Sequence, residues 1–373
     1  MKASKLEKTL CLLFGALILL AALSFLLPGR SYSPHEKRYL AEAPALSAQN
    51  VLSGRFADAF EEYLADHLPG RDALVGAVAY YDLVSGRQNT KEILLGRSGR
   101  LYERPVLWDA AAAEENIEAL RAFAEKTGKK PTLMLIPSAG WLLREDLPGL
   151  REDYTDAEMI ARCYALAGDE LSCIDLAAVF RAAPSAEALY YATDHHWTSR
   201  GAHTAAEVYL SGLGRTLRPE EDYAVTRAAG FYGSTYARSA LWLTAPEELE
   251  LWDSGMPMRV TNTESEGEHA GLFYMENAAE DDKYTIFLGG NHALVRIEND
   301  DPAARGKLLV IRDSFSNCLG GFLAESYRTV VLVDLRYYRQ SLSALCETEG
   351  FDDILVAYSI GNFLKESNLL WLE

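Results

Sequence analysis

From about residue 93 onward, short apolar segments alternate with longer segments of helical periodicity, and this alternation restricts the fold more than any other feature. Strands are predicted at residues 132–136, 171–176, 285–288, 307–311, 329–333 and 353–357. Helices are predicted at residues 112–127, 156–167, 199–213 and 317–327. Short apolar strands separated by helices form largely parallel sheets that are covered on both faces. The sequence therefore predicts an α/β domain of three layers.

Residues 214–284 interrupt this alternation. They are rich in Gly, Glu, Thr and aromatic residues, contain no long periodic run, and include the segment Phe231-Tyr232-Gly233-Ser234. A segment of this size inserted between sheet strands is often an active-site cover or a substrate platform. We expect one of these roles for it.

A compact polar motif precedes the helix predicted at 199–213. Asp194, His195, His196 and Trp197 occupy consecutive positions. An Asp two residues before a His can lie on the same side of an extended backbone, where its carboxylate reaches an imidazole nitrogen and fixes the tautomer. The motif thus supplies an acid and a base but no nucleophile.

A nucleophile is predicted much later in the chain. Ser314 follows the buried strand at 307–311, and a helical run begins near Cys318. A serine on a strand-to-helix turn exposes its hydroxyl and lies beside helix N-terminal amides. Asp194, His196 and Ser314 would then form a triad, whose chain order is free because only its geometry matters.

Simpler interpretations compete with this triad. Asp194 could cap the helix that comes after it, although Thr198 or Ser199 has the better spacing for that role. Ser314 taken alone is an ordinary turn serine, and Ser316 is its nearest competitor as a nucleophile. The position of Ser314 after a buried strand favours the catalytic interpretation.

A metal site is the third alternative. His292, Asp194, His195 and His203 could be imagined as its ligands, but no ligand spacing of a known metal motif supports them. We therefore predict no metal. Residues 289–292 form either a tight turn or a source of substrate contacts.

Three motifs carry a resemblance to a known family: Asp-His-His-Trp at 194–197, Arg-Asp-Ser-Phe at 312–315 and Asp-Leu-Arg-Tyr-Tyr at 334–338. Together they resemble the DHHW family, which is related to the SGNH-type alginate O-acetylation proteins. The likeness extends from about residue 32 to the C-terminus. In the related proteins an Asp-x-His pair and a Ser form the triad, which falls on Asp194, His196 and Ser314. His195 occupies the x position and inherits no catalytic role.

The same resemblance implies an SGNH-hydrolase-like fold in circularly permuted order, because the Ser strand here comes after the Asp/His loop. It nominates Asn362 for the oxyanion hole and Arg336 for a neighbouring contact. Asn291, from the turn at 289–292, is a further oxyanion or substrate-binding candidate.

The N-terminal region differs in composition from the rest. Lys2, Lys5 and Lys8 precede an uncharged run at residues 9–27, which at about 1.5 Å per residue is as long as the ~30 Å hydrocarbon layer is thick. The basic flank predicts a transmembrane anchor with a cytoplasmic start and an extracytoplasmic C-terminal bulk. A cleaved signal peptide is the alternative.

These features together predict the domain organisation. Residues 1–30 form the cytoplasmic start and anchor, and 31–92 form a juxtamembrane linker with helices, one of them at about 56–64. Residues 93–373 form the catalytic domain, with the insertion at about 214–284.

Charge limits the partners. The chain has 36 Lys and Arg against 54 Asp and Glu, a net charge of −18, which argues against a nucleic-acid surface. No recognisable acetyl-CoA site or other cofactor motif is present in the sequence.

The predicted function is extracytoplasmic acyl transfer through a Ser-His-Asp triad. The resemblance implies a polysaccharide acceptor in the cell envelope and a membrane-bound O-acyltransferase that supplies the acyl group. One alternative is a carbohydrate esterase, because water and a sugar hydroxyl can attack the same acyl-enzyme. Another is a non-catalytic glycan-binding or assembly protein that retains the fold.

Overall fold

A computed structural model describes residues 5–25, 30–149, 153–264 and 267–372. These residues form two compact units. The N-terminal unit contains the described residues up to Lys91 together with Tyr236–Leu243. The larger unit contains Glu92–Thr235 and the described residues from Thr244 onward.

The α-helices of the described chain include all five that the sequence predicts outside the anchor, together with others that it does not. They are α1 (Lys5–Ser24), α2 (Ala48–Leu52), α3 (Arg55–His67), α4 (Arg71–Val84), α5 (Ala110–Thr127), α6 (Ala139–Leu142), α7 (Asp156–Ala167), α8 (Leu176–Ala182), α9 (Ser199–Gly212), α10 (Ser234–Ser239), α11 (Ser316–Ala324), α12 (Leu342–Glu349) and α13 (Ile360–Phe363). Short 3₁₀ helices lie at Arg144–Asp146, Ala186–Leu189, Glu220–Asp222, Met275–Ala279, Lys283–Ile286 and Asn368–Trp371. The predicted helices are confirmed as α3, α5, α7, α9 and α11, with small shifts at their ends.

The strands are more numerous than the sequence predicts. They are β1 (Tyr32–Ser33), β2 (Arg38–Tyr39), β3 (Asn89–Thr90), β4 (Ile93–Leu95), β5 (Leu101–Glu103), β6 (Thr132–Ile136), β7 (Ser172–Ile174), β8 (Ala224–Phe231), β9 (Glu247–Asp253), β10 (Met258–Asn262), β11 (His269–Ala270), β12 (Leu294–Asn299), β13 (Lys307–Arg312), β14 (Thr329–Val333) and β15 (Asp353–Ser359).

An eight-stranded sheet organises the larger unit. Its order is β11-β10-β12-β14-β13-β15-β6-β7. The strands from β14 to β7 pair in parallel, whereas β12, β10 and β11 extend one edge in antiparallel fashion. The prediction of an α/β fold with a large, mostly parallel sheet is confirmed.

Helices bury both faces of this sheet. Leu308 and Val310 point into one core with side chains of α9 and α11, and Leu309 and Ile311 point into the other with α5, α7 and α12. Successive strand residues point to opposite faces, so a strand buried on both sides must be apolar throughout. This is why β13 and its neighbours read as continuous apolar runs.

Two expectations differ from the structure. The strand predicted at 285–288 is wrong, because Lys283–Ile286 is a 3₁₀ helix and only Phe287 forms an isolated bridge, to Phe273. The segment at 214–284 is also more than a cover. It forms the antiparallel hairpin β8–β9 and supplies β10 and β11 to the main sheet.

The N-terminal unit contains the region predicted to be an anchor. Among the residues that the structure describes, none of the helices is both long and apolar enough to cross a membrane. Lys2, Leu26 and Leu27, which belong to the predicted anchor and its flank, lie outside the described residues. The transmembrane prediction therefore stays a prediction.

Candidate active site

The Asp-His-His-Trp motif lies in a tight loop whose two ends are joined by backbone contacts. Tyr190 and Trp197 form an isolated antiparallel bridge, and the Tyr191 amide donates to the His196 carbonyl at 3.3 Å. Thr198 caps α9, because its side chain accepts from the Gly201 amide. Asp194 is therefore not needed as a cap and turns toward its own loop.

Asp194 and His196 form a buried pair. Asp194 Oδ1 accepts from His196 Nδ1 at 2.5 Å and from the His196 amide at 2.8 Å. Burial alone would raise the pKa of Asp194, but the adjacent imidazoles, above all His196, and the hydrogen bonds from His196 and the Ser234 amide lower that pKa well below its ordinary value. Asp194 is thus an ionised acceptor that fixes the His196 ring.

Glu247, at the start of β9, forms hydrogen bonds that fix the loop containing Asp194. Its carboxylate accepts from the Ala192 amide at 2.7 Å and from the amide and hydroxyl of Thr193 at 2.6 and 2.7 Å. Three donors on one carboxylate restrict the backbone just before Asp194. Glu247 was not predicted from the sequence, because nothing in its local pattern separates it from the other acidic residues of this segment.

The other side of Asp194 packs against the Gly233-Ser234 turn. The Ser234 amide donates to Asp194 Oδ2 at 2.6 Å. A Cβ placed on Gly233 would lie 2.2 Å from Asp194 Cβ, closer than atoms can approach. Glycine is therefore required for this contact. The turn belongs to the aromatic- and glycine-rich stretch noted in the sequence, which was the available signal.

Ser314 lies on a turn between β13 and α11. Asp313 shapes this turn, since its Oδ1 accepts from the Phe315 amide at 3.1 Å and its Oδ2 accepts from the Ser359 amide at 2.9 Å. The Asp313 carbonyl also accepts from the Ser316 amide at 3.2 Å. Asp313 thus joins the turn to the end of the neighbouring strand β15.

A hydrogen bond between side chains joins the two loops. His196 Nε2 lies 2.7 Å from Ser314 Oγ, although 118 positions separate the two residues. Asp194, His196 and Ser314 are all buried, and Ser314 retains 8% exposure. The Trp197 indole donates to the Phe315 carbonyl at 3.0 Å and gives the loops a second contact. Two consecutive hydrogen bonds thus connect an acid, an imidazole and a hydroxyl.

Aromatic rings enclose the His196 imidazole. Tyr284 stacks on it with ring centroids 3.9 Å apart and planes inclined by 7°, and Phe315 lies 4.9 Å away. His195 covers it from a centroid distance of 3.8 Å. Tyr284 belongs to the 3₁₀ helix Lys283–Ile286, part of which was expected to be a strand, so its contact with His196 was not foreseen.

The residues predicted as oxyanion-hole candidates lie at the same end of the sheet as Ser314, but their side chains hydrogen-bond to other groups. Asn362 Nδ2 donates to Asp313 Oδ2 at 2.8 Å, so Asn362 supports the nucleophile turn through Asp313. Arg336 forms two hydrogen bonds with Asp334, at 2.9 and 2.6 Å.

Asn291 is the third of these candidates. Its side-chain oxygen accepts from Arg312 Nη1 at 3.1 Å and from Asn317 Nδ2 at 2.9 Å. Arg312 is fully buried, and its guanidinium also donates to the Asp313 carbonyl at 3.4 Å. The hydrogen bonds among Asn291, Arg312 and Asn317 therefore support the turn that carries Ser314.

One group among the described residues has the composition of a metal site. Ligand atoms of Asp194, His195 and His196 lie within 4.8 Å of one another. The same atoms are already engaged: Asp194 with His196, His196 with Ser314, and His195 with Ser234 at 2.5 Å. A cation would have to displace these hydrogen bonds. His203 and His292, the other imidazoles of that interpretation, are not part of this group.

Both motif loops fall within a stretch of the chain that is similar to known proteins. A family model described as DHHW protein matches residues 166–333. The probable alginate O-acetylase AlgJ of Pseudomonas syringae pv. tomato is 26% identical over 188 residues, which are 48% of this chain and 48% of AlgJ. The chain thus aligns with about half the length of this curated relative.

Two solved structures share the fold. A DHHW family protein from Eubacterium siraeum superposes with a TM-score of 0.64 and 21% identity, covering 75% of this chain and 94% of that protein. Bacillus cereus PatB1, in a structure with a sulfonyl adduct, superposes with a TM-score of 0.63 and 21% identity, covering 75% and 98%.

Proposed function

Because the chain belongs to the DHHW family, which is related to alginate O-acetylation proteins, we propose that it is an O-acetyltransferase acting through an acyl-Ser314 intermediate. Its acceptor is a hydroxyl of a cell-envelope or exported polysaccharide. The observation that carries this proposal is the 2.7 Å contact between His196 Nε2 and Ser314 Oγ, with Asp194 behind the imidazole. The acetyl group and the polysaccharide are inferred from the relative AlgJ.

The first half-reaction acylates the enzyme. Ser314 Oγ attacks the acetyl carbonyl carbon of the donor, and its proton moves to His196 Nε2. The bond between the acetyl group and the donor then breaks, and the leaving group takes the proton from His196. Asp194 stabilises the imidazolium that exists between these two transfers.

The second half-reaction moves the acetyl group to the acceptor. A sugar hydroxyl attacks the carbonyl carbon of acetyl-Ser314 and gives its proton to His196. The ester bond to Ser314 breaks, and Ser314 Oγ recovers a proton from His196. Water in place of the sugar would release acetate, so the relative access of sugar and water decides between transfer and hydrolysis.

We propose the Ser314 amide as one oxyanion donor. The peptide that contains this amide is polarised at its other end, where the Asp313 carbonyl accepts from Arg312 Nη1 and from the Ser316 amide. Removing one oxyanion donor typically costs about 3 kcal/mol of barrier. Asn362, Arg336 and Asn291 remain proposed contacts for the oxyanion or the substrate.

We also propose that the fold is an SGNH-hydrolase-like fold read in permuted order. In SGNH-type folds the strand before the serine comes first and the Asp/His loop last. Here the loop with Asp194 precedes β13, and Ser314 lies just after a central parallel strand. The carboxyl ends of such strands are where open α/β sheets place their ligands.

We further propose that the domain works outside the cytoplasm and receives its acyl group from a membrane-bound O-acyltransferase. The basic residues before the apolar run at 9–27 support export of the C-terminal part of the chain. In intact cells, an external protease should then cleave a tag at the C-terminus. Deletion of the acyltransferase partner should abolish acetylation of Ser314, and a protected tag or unchanged acetylation would contradict this part of the proposal.

The enzymatic proposal is tested with the purified chain, 4-nitrophenyl acetate as donor and alginate as acceptor. We expect acetyl esters on the glycan and their loss in Ser314→Ala and His196→Ala. Release of acetate without glycan acetylation would identify an esterase. Wild type and Ser314→Ala behaving alike would defeat both enzymes and favour a non-catalytic binding protein.

A further inference from the structure

His195 is the partly exposed neighbour of His196, the proposed base. Of the three rings around His196, Tyr284 and Phe315 are buried. A quarter of the His195 side chain is exposed, against 7% for His196 and 4% for Asp194. Among the side chains that surround His196, His195 is therefore the one most accessible to a molecule that approaches from solvent.

His195 is fixed although it is partly exposed. Its Nδ1 lies 2.5 Å from Ser234 Oγ, and the amide of the same Ser234 donates to Asp194 at 2.6 Å. One turn thus positions His195 and Asp194 together. An exposed histidine normally changes rotamer freely, whereas this hydrogen bond holds the His195 ring in one orientation before any ligand binds.

The charge of His195 suits a hydrogen-bonding role next to the base. Burial and the neighbouring charge of His196 lower the pKa of His195. A neutral imidazole does not repel the imidazolium that forms on His196, 3.8 Å away between ring centroids. A neutral ring also keeps one nitrogen for Ser234 and leaves Nε2 for another partner.

We propose that His195 Nε2 hydrogen-bonds the sugar acceptor and orients the attacking hydroxyl toward acetyl-Ser314. This inference rests on the proposed transferase function and extends it to acceptor selection. The proton of the attacking hydroxyl still moves to His196, the ester bond to Ser314 still breaks, and His195 gains or loses no proton overall. His195 therefore raises the share of acetyl groups that reach a sugar instead of water.

The test measures how the acyl-enzyme divides between sugar and water. The purified chain is supplied with 4-nitrophenyl acetate and methyl α-D-glucopyranoside, and acetyl-glucoside and acetate are both quantified. Their ratio does not depend on the acylation rate, because both products come from the same intermediate. For His195→Ala we expect this ratio to fall about tenfold, the effect of one lost hydrogen bond to substrate.

Two substitutions separate this role from packing. His195→Gln keeps a polar amide near the Nε2 position and should recover part of the ratio. His195→Asn keeps only the atom near Nδ1, beside Ser234, and should resemble His195→Ala. The matched control is His292→Ala, at an imidazole outside the triad cluster, which should keep the wild-type ratio.

Failure of the His195 proposal can be distinguished from failure of the proposed function. If Ser314 accepts no acetyl group in the wild type, the proposed function itself fails. If Ser314 is acetylated but the wild type releases only acetate, the protein is an esterase, and the transferase function fails together with the role of His195. If the wild type acetylates the glucoside and the ratio is the same in His195→Ala, the assignment of His195 is overturned and the transferase function stands.

Discussion

Two carboxylate-imidazole pairs of the larger unit have the same chemical composition but different surroundings. In Asp194–His196 the side chains are 4% and 7% exposed, and His196 Nε2 contacts Ser314 Oγ. In Glu264–His292 they are 54% and 15% exposed, and His292 Nε2 is buried without a partner. A carboxylate beside an imidazole is therefore not enough for the proposed reaction, which needs a buried acid and a hydroxyl at the other ring nitrogen.

The largest expected effect separates the two imidazoles. His196→Ala should reduce acetylation of Ser314 by 4-nitrophenyl acetate by about 10⁴-fold, because the serine loses its base. His292→Ala should remain within about twofold of wild type, since no nucleophile meets its ring. The measurement is the burst of 4-nitrophenolate under single-turnover conditions. Equal losses in the two variants would abolish the distinction.

Substitution of the acid should also slow acetylation in the Asp194–His196 pair and not in the Glu264–His292 pair. Asp194→Asn should slow acetylation by about 10³-fold or more, because an amide holds the His196 ring in the wrong tautomer and cannot stabilise its charge. Glu264→Gln should leave the rate nearly unchanged, since Glu264 is more than half exposed. The same burst assay decides this, and a slow Glu264→Gln enzyme would mean that the second pair contributes to the chemistry.

Glycines beside the two pairs provide a third comparison. Gly233→Ala should destabilise the fold by about 1–3 kcal/mol, because a Cβ there collides with Asp194. Acetylation should fall with it. Gly289→Ala, at φ +77° with a Cβ 3.1 Å from His292 Nε2, should also lower stability but spare the acetylation rate of the folded fraction. Urea unfolding and the burst assay, performed on both variants, separate the two effects.

Lowering the pH should reduce the stability of the fold through protonation of Asp194. The pKa of Asp194 is lowered in the folded state, so this carboxylate stabilises the fold above its unfolded pKa of about 3.9 and loses that contribution as the pH falls below it. The loss is at most about 1.4 kcal/mol per pH unit. Unfolding free energies of wild type between pH 5 and 2 should fall more steeply than those of Asp194→Asn. Parallel curves would contradict the assigned shift.

Regular, strongly apolar elements could be predicted from the sequence with little error. The bounds of α7 and β14 agree with the predicted ranges at both ends. Both elements bury a continuous face, so their hydrophobic pattern alone determines their type. The motif loops could also be predicted, since each combines chemically specific residues with a neighbouring strand or helix.

The strands of the main sheet that were missed lack a continuous apolar run. Strands β10, β11 and β12 form the antiparallel edge of the sheet, where buried residues are interspersed with partly buried or exposed ones and no continuous apolar run forms. The first half of the segment predicted as a strand at 285–288 belongs instead to a 3₁₀ helix, because Tyr284 packs against His196 and this long-range contact outweighs local propensity. Tertiary contacts of this kind leave no periodic signal in the sequence.

The supporting residues of the site were hidden for the same reason. Glu247 and Ser234 act through loop amides and a carboxylate that are 40 or more positions away. Their hydrogen bonds depend on where the hairpin β8–β9 returns to the motif loop. A sequence could show that Asp194 and His196 are neighbours, but not which residues hold them.

The proposed reaction depends on Ser314 as the nucleophile and His196 as its base. The most direct measurement is peptide mass spectrometry after a brief incubation with 4-nitrophenyl acetate and an acid quench. We predict one acetyl group on the peptide that contains Ser314 in wild type and His292→Ala, and none there in Ser314→Ala or His196→Ala. An acetyl group on another residue of wild type, or equal acetylation of Ser314 without His196, would contradict this claim.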